Sequence, residues 1–77
     1  MIISYKKQNE FYTFGTPDTD ISDEEVHQIC CKLLTKFNAT ASDSIGLTDG
    51  INCYECKKLG SAWLVSSDDR LIGEIRL

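Results

Sequence analysis

Ile51-Asn52-Cys53-Tyr54-Glu55-Cys56-Lys57-Lys58-Leu59-Gly60 can be read in two ways, and the choice between them decides the fold. As a short helix, Asn52 would cap it, Glu55 would sit at the capping-box position, Lys57 and Lys58 would lie near its end, and Gly60 would stop it. As a strand, residues 51–58 open a meander that continues through residues 62–66 and 70–77, with turns at Leu59-Gly60-Ser61 and Ser67-Asp68-Asp69. The strand is the preferred reading, because without it the sheet is too narrow to cover a helix. The last segment alternates, with Leu71, Gly73, Ile75 and Leu77 opposite Ile72, Glu74 and Arg76, so one face of the meander is expected to be apolar and to receive the helix.

That helix is announced upstream by its punctuation. Ser22 is a good N-cap, and Glu25 three residues on can close a capping box. Asp23 and Glu24 place negative charge where the helix dipole favours it, and Ile21 can staple onto Val26. The apolar stripe runs Val26, Ile29, Cys30, Leu33 and Phe37 at intervals of three and four, predicting a helix over residues 22–37.

Before it, residues 2–7 and 10–15 are rich in β-branched and aromatic residues and meet at Gln8-Asn9, which predicts a hairpin. Tyr12 and Phe14 share one face of the second strand while Phe11 and Thr13 share the other. Gly15-Thr16-Pro17-Asp18 then breaks the strand. Residues 38–50 are small, polar and glycine-containing, and read as a long connecting loop with Ile45 and Leu47 tucked inward. The expected architecture is one α+β domain over residues 1–77: a single amphipathic helix packed on an antiparallel sheet, in the order ββαβββ.

The same choice at residues 51–60 governs the cysteines. In a strand, Cys53 and Cys56 point to opposite faces with Cα atoms about 10 Å apart, beyond the roughly 7 Å that a disulfide spans. At a helix start the pair would be close, and the leading thiol would be acidified in the manner of redox enzymes. A thioredoxin-like dithiol would follow an early strand and be accompanied by a later cis-proline, whereas the one proline here, Pro17, comes well before. A zinc set could be drawn from His27 and Cys31, one helical turn apart, with Cys53 and Cys56. The C-x-x-C carries no glycine between or directly after its cysteines, and its order departs from the common zinc modules. The simplest reading is that Cys30 and one of Cys53 and Cys56 are small apolar packing residues. No metal and no cofactor are expected.

At 77 residues the chain buries only about 60–65 % of the surface it exposes unfolded, so an obligate partner or self-association would help it. It opens Met1-Ile2-Ile3-Ser4-Tyr5-Lys6-Lys7, and no stretch approaches the roughly 18 apolar residues of a membrane span, so a soluble, cytoplasmic protein is expected. The net charge is −4, spread evenly along the chain. An acidic surface disfavours direct contact with nucleic acid and suits a protein partner that is itself basic.

The run Asp18, Asp20, Asp23, Glu24 and Glu25 is uninterrupted by any basic residue. As a calcium loop it fails, since Asp23 replaces the sixth-position glycine and Ile29 the twelfth-position glutamate. It reads as helix-start electrostatics or, more sharply, as a negative patch for a basic partner, with Asp43, Asp49, Asp68 and Asp69 as additions. Tyr5, Phe11 and Tyr12 are the expected exposed aromatics, Trp63 the core anchor, and His27 a solvent-exposed helical residue. No phosphate loop, metalloprotease helix or nucleophile elbow is present, so the expected function is non-enzymatic. In size and charge, though not in any motif, the chain resembles the small inhibitors that phages and mobile elements direct against host defence complexes, such as anti-CRISPR proteins. That resemblance implies occupation of a basic nucleic-acid-binding protein surface. The alternatives are a zinc- or thiol-dependent module and a self-associating protein that dimerises through a sheet edge.

Overall fold

Alternation of apolar and small polar residues writes most of the strands. The computed structural model describes residues 1–17, 20–68 and 70–77, and its strands are β1 Ile2–Lys6, β2 Phe11–Gly15, β3 Ser44–Thr48, β4 Cys53–Leu59, β5 Ala62–Ser67 and β6 Arg70–Ile75, with the single helix α1 Asp23–Lys36 between β2 and β3. The strands form one antiparallel sheet in the order β2-β1-β3-β4-β5-β6. The α+β class and the helix-on-sheet packing are as expected. Residues 53–59 are strand, so the meander reading holds.

The sheet has one strand more than the sequence suggests. Residues 44–48 are the central strand β3, hydrogen-bonded to β1 on one side and β4 on the other, giving ββαββββ. Ile45 and Leu47 do point inward, as expected, but from a ladder and not from a loop. Gly46 at its middle is a poor strand former and the flanking segment is small and polar, and pairing on both sides supplies what local preference lacks. The remaining connection is short. Helix α1 ends in a Schellman motif: Ala39 N–H donates to the Leu34 carbonyl at 3.0 Å and Asn38 N–H to that of Thr35 at 3.2 Å, with Asn38 left-handed at φ 51°.

The N-terminal capping box is present in full, with the Ser22 hydroxyl accepting from Glu25 N–H and the Glu25 carboxylate accepting from Ser22 N–H. Val26, Cys30 and Leu34 form the buried row of the helix, while Ile29, Leu33 and Phe37 flank it half-buried. Leu34, absent from the expected stripe, is thus central, because the sheet lies along an i, i+4, i+8 ridge. Facing it, one row of the sheet runs Tyr5, Ile45, Cys56, Val65 and Gly73 across five strands. Gly73 leaves room for the approach of the helix, since a Cβ there would stand 3.1 Å from the His27 ring, a tight contact. His27 is accordingly half-buried between helix and sheet, its Nε2 3.0 Å from the Glu74 carbonyl oxygen, and not solvent-exposed as expected.

A β-bulge between β5 and β6 interrupts the alternation expected of the last strand. Val65 pairs with Gly73 and Ser66 with Leu71, which skips Ile72 and turns Leu71 out to solvent. Arg70 is carried to the helix side by the same shift. Among the described residues no helix is long and apolar enough to cross a membrane.

Candidate functional site

The register gathers at one end of the sheet what the sequence scatters. Gly15, Ile2, Thr48 and Cys53 are paired across β2, β1, β3 and β4, and Ser67 and Arg70 close β5 and β6 at the same end. The chain leaves or enters there through the segment before the helix, the helix N-terminus, the β3–β4 turn and the β5–β6 turn. Asp20, Asp23, Glu24, Glu25, Asp49 and Asp68 therefore share one end, with Arg70 as the basic residue among them. Lys6, Lys7, Lys36, Lys57 and Lys58 stand toward the opposite end. Charge that is even along the chain is thus segregated in space.

Several of these carboxylates serve the fold. Asp23 takes a two-pronged bond from Arg70, at 2.6 and 3.3 Å, and the guanidinium holds its carboxyl below the usual range. Glu25 closes the capping box. Asp49 accepts from the backbone N–H groups of Asn52 at 2.7 Å and Ile51 at 2.9 Å, which lowers its pKa and fixes the β3–β4 turn. Asp20, Glu24 and Asp68 remain, exposed and, among the described residues, with no side-chain hydrogen bond or ion pair. Asp18 and Asp69 lie outside the described residues.

Asp43 corrects the expectation that it joins the negative patch. It sits at the other end, its side chain 1 % exposed, accepting from the Tyr5 hydroxyl at 2.7 Å, from Thr40 Oγ1 at 3.1 Å and N–H at 3.3 Å, and from Lys7 Nζ at 3.3 Å. Burial pushes its carboxyl up, but the bonds from Tyr5, Thr40 and Lys7 outweigh burial and leave it below the ordinary carboxylate value. Burial, with Asp43 beside it, raises the Tyr5 hydroxyl far above its usual value.

Tyr5 is consequently a core residue, 0 % exposed and stacked on Phe37 at 4.4 Å, and not the exposed aromatic expected from sequence. Tyr12 is half-buried, its ring 5.2 Å from Phe37 and its hydroxyl donating to Glu10. Phe11 alone of the three stands out, 64 % exposed. Trp63 is buried in β5, as expected, with Lys58 Nζ 6.0 Å from its ring centre.

Phe11 borders the face of the sheet that the helix leaves open. Its middle rows are small or polar: Ser4, Gly46, Glu55 and Ser66 align across β1, β3, β4 and β5. A shallow cleft of about 430 Å³ runs over this floor between Phe11 and Asp68, and a second of about 220 Å³ lies beside Leu59 and Leu64.

The cysteines divide as a strand requires. Cys56 faces the core, where its sulfur meets that of Cys30, and Cys53 faces the open side. The Cys56 thiol beside it, together with burial, raises the Cys30 thiol far above its usual value. His27, Cys31, Cys53 and Cys56 do not converge, and among the described residues no group of three or more such side chains could hold a metal ion. The Tyr5–Asp43–Lys7 network escaped the sequence reading because its members lie far apart in the chain. Its one local trace is Thr40, three residues before Asp43. Compared with family models, curated proteins and solved structures, the chain matches none.

Proposed function

We propose that this chain is a non-enzymatic protein-binding module whose acidic end docks on a basic protein surface. The observation that carries this reading is the segregation of charge: Asp20, Glu24 and Asp68 stand exposed at an end where Arg70 is already engaged by Asp23. Such an end steers encounter with a positive surface and suppresses association with phosphate. In its sharper form the partner is a nucleic-acid-binding protein of the cytoplasm, and the chain acts as an inhibitor of the anti-CRISPR kind by occupying the surface that nucleic acid would use. The scatter of His27, Cys31, Cys53 and Cys56 weighs against a zinc-dependent module.

The test is affinity capture from the native cell with mass spectrometry, repeated with the double variant Asp20→Lys and Glu24→Lys. Among the described residues these two carboxylates make no internal bond, so the fold should survive their reversal. Capture of a basic protein should fall sharply in the variant and with added salt. Capture that is indifferent to both would discard the acidic-end mechanism.

A further inference from the structure

We propose that the free edge of β2 is the interface of a symmetric dimer, its occupant the β2 strand of a second copy of this chain. The two edges of the sheet are built differently. Strand β6 carries a bulge, and Arg70 and Glu74 lie along it, devices that keep another strand away. Strand β2 reads Phe11-Tyr12-Thr13-Phe14-Gly15, regular and without charge, and pairs only with β1. Such an edge is a template for another strand.

The hydrogen-bond phase of the hairpin says which groups are offered. Lys7 N–H donates to the Glu10 carbonyl and Thr16 N–H to that of Met1, both at 2.9 Å, so bonds are exchanged at Glu10 and Thr16 at the two ends of the ladder. In an antiparallel pair such positions alternate, so Tyr12 and Phe14 also bond inward to β1, and Phe11, Thr13 and Gly15 turn their N–H and C=O groups outward. All three residues are exposed.

A two-fold axis through Thr13 satisfies every one of these groups. Thr13 then faces its own copy, and Phe11 faces Gly15 of the second chain, giving six N–H···O bonds. A register slipped by two residues leaves part of the row unpaired. The side chains fit the same axis. Nothing lies within 4 Å of the position a Gly15 Cβ would take, which leaves space for the ring of the opposing Phe11. On the helix side Tyr12 would oppose Phe14, an aromatic cross-strand pair.

Light scattering on the full chain should give twice the 8.7 kDa chain mass. Thr13→Lys would place two ammonium groups opposite one another at the axis, and should raise the dissociation constant at least roughly tenfold with an unchanged far-ultraviolet circular dichroism spectrum. In a Cys53→Ser background, Thr13→Cys should yield a cross-linked dimer when glutathione disulfide takes up the two thiol hydrogens, because Cα atoms of such a pair lie about 5.5 Å apart. The same background without Thr13→Cys should not cross-link. This readout stands even if the lysine variant does not fold. A monomer at every concentration, or a dimer indifferent to Thr13→Lys and uncross-linked by Thr13→Cys, overturns the proposal.

Discussion

Asp43 shows how one residue can reverse its meaning between sequence and structure. In the sequence it is one more acid in an acidic chain. In the fold it is a buried carboxylate that ties β1, through Tyr5 and Lys7, to the connection after the helix. Its folded pKa lies below the unfolded value of about 3.9, so its stabilising contribution is in place above that value and is lost as pH falls through the folded one. Asp43→Asn should therefore cost about 2 kcal/mol or more at neutral pH, as charged hydrogen bonds are lost. It should also flatten the decline of stability on acidification. Denaturant melts of both proteins over an acid series check this; parallel declines would show that Asp43 is not the titrating group.

At the scale of elements, the helix was legible and one strand was not, for a physical reason. Ser22, Glu25 and the 26–37 stripe are local signals, and a helix end is decided locally. Strand β3 has a period of two but is built from Ser44, Gly46 and Thr48 on its open side, and its stability comes from β1 and β4, neither of which its own sequence can announce. The bulge within β6 is equally silent in sequence, which is why simple alternation puts Leu71 on the wrong face. The helix ridge follows the same rule, since two rows of apolar residues compete to face inward and the sheet selects the one ending in Leu34. Leu34→Ala should cost about 2–5 kcal/mol, and Leu33→Ala distinctly less, because Leu33 is only half-buried. Chemical denaturation ranks them, and equal losses would mean that the ridge is misassigned.

For the whole molecule, fold class and overall sign of charge are legible in the sequence, but not where the charge collects. That depends on which loops share an end, and so on the topology of six strands. The candidate site was correspondingly half visible. The carboxylates from Asp18 to Glu25 are legible as a group, and of the acids that could be added to them Asp49 and Asp68 join through the ends of β3 and β5 while Asp43 does not. Of the three aromatics expected to be exposed, Phe11 is, because β2 is an edge strand, while Tyr5 on the neighbouring strand is sealed beneath the helix end.

The division of the four cysteines has a consequence for watching the molecule breathe. Cys53 is exposed, Cys31 half-buried, and Cys30 and Cys56 face each other where helix meets sheet. A small alkylating reagent should modify Cys53 at once and Cys31 more slowly. Cys30 and Cys56 should react together, at a rate set by lifting the helix off the sheet and suppressed in step with global stability. Mass spectrometry of timed samples resolves the steps, and early separate modification of Cys56 would show that β4 opens on its own. The chain thus carries its own graded clock, from surface thiol to core thiol, and needs no added label to report its opening.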